Sequence, residues 1–102
     1  MVTQNGVPIF QPGELVSSVK KFRKLFADGS CYVAAIPTYV GGHMAMGWAT
    51  DNKLLRQVTE KEISARYARA GSFPTKYWSP AMHKASFAKP RFIQELVDKA
   101  KA

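Results

Sequence analysis

The sequence has 102 residues, of which 46% are apolar and 22% charged, a balance typical of a soluble globular domain and unlike that of a disordered chain. Its net charge of +8 favours acidic partners without choosing among nucleic acid, an anionic membrane and an acidic protein. The single cysteine, Cys31, excludes an intrachain disulfide. The longest apolar run, residues 31–37, is far shorter than the roughly 20 residues of a membrane helix. The N-terminus lacks the pattern of a signal peptide, so we predict a soluble, cytoplasmic protein.

The N-terminal part of the chain predicts a strand followed by a helix. The strand is Met1–Asn5, stopped by Gly6 and Pro8. A helix is predicted over Pro12–Ala27, because apolar residues recur there at helical spacing and Asp28-Gly29 follow as a terminator. Its inward stripe comprises Leu15, Val16, Val19, Phe22 and Phe26.

A basic run within this helix, Lys20, Lys21, Arg23 and Lys24, falls mostly on the face opposite the apolar stripe. Phe22 points inward with that stripe and cannot act as a platform on which bases stack. We therefore interpret the run as a solvated helix face rather than a nucleic-acid contact.

Two apolar segments after the helix predict an antiparallel hairpin. Ser30–Pro37 is short, apolar and bounded by Gly29 and Pro37, which is typical of a buried strand. Gly41-Gly42 marks a turn, and Met44–Thr50 forms the second strand.

Helix signals then recur to the end of the chain. Thr59 is predicted to cap a helix running to about Ala70, with Glu62 reaching back in a capping box and Gly71 as the left-handed terminator. Ser79-Pro80 starts a short helix to about Phe87, and Pro90 opens the last helix. The predicted inner stripes are Ile63, Tyr67 and Ala70 in the first of these helices and Phe92, Ile93, Leu96, Val97 and Ala100 in the last; Trp48 and Trp78 are predicted core anchors.

No residue of the chain is predicted to be catalytic, and no metal site is predicted. His43 and His83 lie far apart in sequence, without the ligand spacing of a zinc site. Cys31 sits in an apolar strand, where a structural thiol is inert. No glycine-rich nucleotide motif is present, since Gly41-Gly42 alone indicates only a turn.

Several segments in sequence order nevertheless resemble the polyamine aminopropyltransferase (spermidine synthase) family. The resemblance covers nearly the whole chain but only the C-terminal part of the family, about a third of a usual member. The segments that carry it are residues 2–8 (VTQNGVP), Ile36-Pro37-Thr38-Tyr39 with Gly41-Gly42, Ala49–Asn52, Tyr77-Trp78-Ser79-Pro80, His83, Ala85–Ala88 and Pro90.

The resemblance implies an α/β fold in which residues 1–102 form a single domain, the C-terminal portion of a catalytic domain. Its sheet would be the end of a methyltransferase-like (Rossmann-like) sheet, with three strands in the family order 5-7-6, including an antiparallel hairpin, flanked by helices. Met1–Asn5 would be strand five, with strand four missing beside it. Because an open strand edge invites pairing, we expect a homo-oligomer or association with an N-terminal half or a full-length synthase.

The resemblance also implies a function. The family transfers an aminopropyl group from decarboxylated S-adenosylmethionine to putrescine and needs no metal. Gln4 matches a glutamine that lines the amine site, and Tyr39 matches a tyrosine that orients the attacking nitrogen beside an upstream aspartate. That aspartate has no counterpart here, since neither Asp28 nor Asp51 matches it, and the glycine-rich loop for the co-substrate is absent.

Three hypotheses follow from these observations. The first is a piece of a spermidine synthase-like enzyme that binds putrescine or another polyamine and is inactive by itself. The second is a non-catalytic remnant or a regulatory partner of a complete synthase. The third, supported only by charge, is a small basic nucleic-acid-binding protein.

Overall fold

The computed structural model describes residues 1–36 and 42–101. In chain order the elements are β1 (Val2–Gln4), α1 (Pro12–Leu25), β2 (Asp28–Ala35), β3 (His43–Thr50), a 3₁₀ turn (Leu55–Gln57), α2 (Glu60–Arg69), α3 (Pro80–Ala85) and α4 (Arg91–Lys99). None of the helices in these two ranges has the length and apolar character needed to span a bilayer.

The three strands form an antiparallel sheet in the order β1-β3-β2. β3 is central, with Gly47 opposite Thr3 of β1 and Cys31 of β2. This arrangement is the predicted order 5-7-6, so the fold class is confirmed. The outer edge of β1 has no strand partner among residues 1–36 and 42–101.

The junction between α1 and β2 differs from the prediction. Phe26 adopts an extended conformation, and its N–H donates to Phe22 O at 2.7 Å, so the helix ends at Leu25 without a left-handed glycine. Asp28 and Gly29 therefore belong to β2, where they pair with Thr50 and Ala49. The predicted helix terminator is thus the first part of a strand.

One face of the sheet packs against α1 and α4 and forms the hydrophobic core. The predicted stripe of α1 is confirmed, with Val16 and Phe26 packed at its margin. The buried stripe of α4 is narrower than predicted, since Phe92 remains exposed and Leu96 is half-buried. The core residues are Leu15, Val19, Phe22, Cys31, Val33, Ala45, Ala49, Ile93, Val97 and Ala100.

Arg23 does not lie on the solvated face of α1, as the sequence suggested. Its Nε donates to Gly29 O at 3.0 Å, and its Nη1 donates to the carbonyls of Val97 (2.9 Å) and Ala100 (2.6 Å). These carbonyls belong to β2 and to the C-terminal end of α4, where orphan acceptors and the helix dipole favour a cation. Arg23 therefore ties α1 to both elements.

The helix starts confirm the predicted caps, with one correction. Thr59 Oγ1 accepts from Glu62 N at 3.2 Å, and Ser79 Oγ accepts from Met82 N at 3.1 Å. The Glu62 carboxylate does not reach back, because it accepts from the guanidinium groups of Arg66 and Arg69 on the following turns.

The ends of α2 and α3 also differ in part from the prediction. Gly71 is left-handed at φ +95°, as predicted, but Ala70 is exposed and does not join the inner stripe of α2. α3 ends at Ala85, and Phe87 then packs edge-on against Tyr32 and Trp48 of the sheet.

The second face of the sheet is covered by the segment around α3. Trp48 and Trp78 lie on this side and are both half-buried, so they are not anchors of the main core as predicted. The same segment covers the outer edge of β2. There Val33 N–H donates to Ser86 O at 2.9 Å, and Ala35 N–H donates to Tyr77 Oη at 3.2 Å.

Asp28 and Arg56 form a two-pronged ion pair at the start of β2. Arg56 Nε and Nη2 each donate to one carboxylate oxygen of Asp28 at 2.6 Å. The Asp28 side chain is only 11% exposed. The hydrogen bonds from Arg56 hold the pKa of the Asp28 carboxyl below its ordinary value.

We expect this pair to make stability depend on pH. Because the folded-state pKa of Asp28 is lowered, its contribution is present above the unfolded pKa of about 3.9 and is lost as pH falls through the folded value. Asp28→Asn should destabilise the protein at pH 7, and the difference from wild type should shrink below about pH 4. Arg56→Met should remove the same pH dependence. Urea unfolding at a series of pH values measures both effects, and a pH-independent difference would contradict this assignment.

Candidate functional site

Gln4, the first of the two residues assigned to a substrate site, lies at the end of β1. The register pairs it with Met46, and its side chain is exposed. Gln4 Nε2 lies 3.4 Å from the Sδ of Met44. Because side chains alternate along a strand, Gln4 faces away from α1, whereas Thr3 and Asn5 face the core side beside Phe22.

Tyr39, the second assigned residue, lies outside the described residues. The described residues nearest to it are Ile36 and Gly42, and Ala35 is paired with His43 at the end of the hairpin. β1 runs antiparallel to β3, so the end of β1 lies at the same end of the sheet as this hairpin end. The sheet thus brings Gln4 and the described residues on both sides of the segment 37–41, which contains Tyr39, to one side of the molecule.

Met44 was not singled out by the sequence. It is 4% exposed, and its thioether lies against the Gln4 amide. The pair combines an apolar, polarisable surface with an amide that both donates and accepts hydrogen bonds. Because Met44 is buried, the exposed Gln4 amide is the part of this pair that a ligand can reach.

Asp28 and Asp51, neither of which the resemblance matches to the family's base, lie at the opposite end of the sheet. Asp28 is opposite Thr50, and its carboxylate is occupied by Arg56. Asp51 follows β3, and its Oδ1 accepts from Ala27 N at 3.1 Å. Neither carboxylate can reach a ligand held beside Gln4.

The histidines and the cysteine do not converge on a common site. His83 Nδ1 accepts a hydrogen bond from Trp78 Nε1 at 3.2 Å, and His43 is half-buried at the start of β3. No group of three or more potential metal ligands occurs within residues 1–36 and 42–101. Cys31 is fully buried, and burial raises the pKa of its thiol, which agrees with the predicted inert role.

The lysines of the basic run of α1 have no aromatic partner among residues 1–36 and 42–101. Lys20, Lys21 and Lys24 are exposed, whereas Phe22 is 7% exposed and belongs to the core. This geometry agrees with the interpretation of the three lysines as a solvated helix face, whereas Arg23 binds carbonyls of β2 and of the end of α4.

Comparison with known proteins identifies close relatives by sequence. No protein-family profile matches the chain. A polyamine aminopropyltransferase of Ruegeria sp. (strain TM1040) is 47% identical over 96 residues, covering 94% of this chain and 34% of the relative. A polyamine aminopropyltransferase of Escherichia fergusonii is 44% identical over 94 residues, covering 92% of this chain and 32% of the relative. The chain therefore spans about a third of the length of the curated relatives it matches.

Solved structures show the same fold. The chain matches a spermidine synthase from Thermotoga maritima with a TM-score of 0.77 and 19% identity, over 95% of this chain and 33% of that one. It also matches a spermidine synthase in complex with the transition-state analogue AdoDATO, with a TM-score of 0.77, 20% identity and coverage of 95% and 32%. The matched region is the C-terminal part of the spermidine synthase fold.

Proposed function

We propose that this chain, which is related in sequence to the polyamine aminopropyltransferases over 94% of its length, forms the amine-binding wall of an aminopropyl-transfer site. The observation that carries the proposal is that Gln4 lies at the same end of the sheet as Ala35 and His43, the paired residues on either side of the segment that contains Tyr39. On this proposal Gln4 and Tyr39 contact the amine, and the buried Met44 supports the Gln4 side chain.

The chemistry of the transfer limits what this part of the protein does. A neutral amine nitrogen attacks the methylene carbon next to a sulfonium, a C–N bond forms, the C–S bond breaks, and the sulfur leaves as a neutral thioether. The amine must first lose a proton, and it must be aimed in line with the C–S bond. Gln4 orients the amine through hydrogen bonds, but an amide is not a base.

The base and the co-substrate site therefore belong to another polypeptide segment. Asp28 and Asp51 lie at the far end of the sheet. The segment that corresponds to the remaining two thirds of the relatives would hold decarboxylated S-adenosylmethionine and supply the carboxylate. On this proposal residues 1–102 form one domain that acts in the cytoplasm and has no transfer activity by itself.

The open edge of β1 supports an association of this kind. β1 is hydrogen-bonded on one side only within the described residues, and the apolar side chains of Met1 and Val2 at its start are exposed. Unpaired strand edges readily accept another strand. A second copy, an N-terminal half or a full-length synthase could supply it, and the last would make this chain a non-catalytic partner of a complete enzyme.

Putrescine binding tests the assignment of the site residues. In the chain assembled with the preceding two thirds of the Ruegeria relative, we expect Gln4→Ala and Tyr39→Phe each to weaken putrescine binding about tenfold, since each removes one hydrogen bond to the amine. Isothermal titration calorimetry measures the affinity. Gln94→Ala on the exposed side of α4 is the matched control and should bind like wild type. Equal affinity of all three variants would remove Gln4 and Tyr39 from the site.

A further inference from the structure

A cavity of about 220 Å³ lies between the second face of the sheet and the segment around α3. Its walls come from the three strands of the sheet on one side and from residues 77–87 on the other. Both tryptophans of the chain line it. The lining residues are Val2, Tyr32, Val33, Ala34, Trp48, Tyr77, Trp78, Met82, His83, Ser86 and Phe87.

The aromatic rings around the cavity form a connected cluster of edge-to-face and tilted contacts. Phe87 is its centre, with ring centroids 5.1 Å from Trp48 and 5.7 Å from Tyr32. Trp78 and His83 continue the cluster at 6.0 Å. Aromatic rings prefer edge-to-face or offset-stacked neighbours, so another planar ring can extend this arrangement.

Three polar groups of the lining are engaged with partners within the protein. Trp78 Nε1 donates to His83 Nδ1, Ser86 Oγ donates to His83 O at 2.7 Å, and Tyr77 Oη accepts from Ala35 N. No carboxylate is among the lining residues. A dication such as a diamine would find no counter-charge here, whereas an uncharged ring loses little by leaving water.

We propose that this cavity binds a small, uncharged, planar aromatic molecule of one or two fused rings. The volume agrees with this class, since an apolar cavity of about 150 Å³ holds a benzene molecule. The site is separate from the surface around Gln4, which does not line it, and the proposal does not depend on aminopropyl transfer.

The test uses indole as the probe and the two tryptophan side chains as reporters. In ¹H–¹⁵N spectra of the uniformly labelled chain, indole should shift the side-chain N–H resonances of both Trp48 and Trp78 in a saturable way, with a Kd of about 1 mM or tighter. Putrescine at the same concentrations should leave both resonances in place. Unchanged resonances with indole, or equal shifts with putrescine, would overturn the proposal.

Two alanines, one in the lining of the cavity and one outside it, provide a matched pair of variants. Ala34→Leu adds bulk to the lining and should weaken indole binding at least tenfold. Ala81→Leu makes the same change at an exposed position of α3 outside the lining and should bind indole like wild type. Equal weakening by both variants, or by neither, would contradict the location of the site, and the wild-type titration decides the outcome if Ala34→Leu does not fold.

Discussion

Gly47→Ala is expected to be one of the most destabilising single substitutions in this chain. Gly47 is buried at the centre of β3, where a methyl group would lie within 2.7 Å of side-chain atoms of Thr3, Asn5 and Phe22. Real Cβ atoms do not approach other atoms so closely, so the packed side chains of Thr3, Asn5 and Phe22 would have to shift. Overpacking a core usually costs about 1–3 kcal/mol, and three simultaneous clashes place this variant at or above the upper end.

Urea denaturation measures the loss, and Gly13→Ala is its matched control. Gly13 lies in the first turn of α1, and nothing is within 4 Å of a methyl group added there. The same substitution at that position should stabilise the protein by about 0.5–1 kcal/mol, because alanine loses less backbone entropy than glycine in a helix. Similar unfolding free energies for the two variants would show that β1 and α1 do not approach Gly47 as described.

The second large effect is expected for Arg23→Met. Its guanidinium donates to one carbonyl of β2 and to two carbonyls at the end of α4, so its loss leaves partly buried acceptors without a donor. Hydrogen bonds to charged groups contribute about 1.5–3 kcal/mol each, and we expect a total destabilisation of about 2–4 kcal/mol. Methionine keeps the helix propensity of the position, so the change reports on these hydrogen bonds.

Lys20→Met on the same helix is the control for Arg23→Met. Lys20 is exposed, and its replacement should change the unfolding free energy by less than about 0.5 kcal/mol. Hydrogen exchange adds a readout of location, because the amides of α4 should lose protection in Arg23→Met and keep it in Lys20→Met. Equal stability of the two variants would show that Arg23 does not hold α4 to the sheet.

Local patterns predicted the elements well and their environments less well. The hairpin could be predicted because Ser30–Pro37 and Met44–Thr50 are short apolar runs on either side of a Gly-Gly pair in the sequence. Trp48 was assigned to the core because it is large and apolar. Alternation along β3 places it instead on the second face, where only the segment around α3 covers it.

Competition between partners explains two further differences. Glu62 stands where a capping box would use it, but guanidinium groups four and seven residues later are stronger partners for its carboxylate. Arg23 belongs by spacing to the polar face of α1, yet its long side chain reaches carbonyls of α4 that are 74 and 77 residues away in sequence. Local sequence patterns cannot predict contacts between residues so far apart in the chain.

The candidate site was predictable only through resemblance. Composition and spacing do not distinguish Gln4 from the other glutamines, and its assignment came from the segment at residues 2–8. Met44 could not be predicted, because its contact with Gln4 depends on the register between strands that are 40 residues apart. The aromatic cavity likewise forms only when residues 77–87 fold over the sheet.

The central claim is that this chain supplies only the amine-binding part of an aminopropyl-transfer site. The most direct measurement is mass spectrometry of a reaction that contains decarboxylated S-adenosylmethionine and putrescine, with the chain alone and with the chain assembled with the preceding two thirds of the Ruegeria relative. The account predicts no spermidine from the chain alone and spermidine from the assembly. Spermidine from the chain alone, or none from a stable one-to-one assembly, would contradict it.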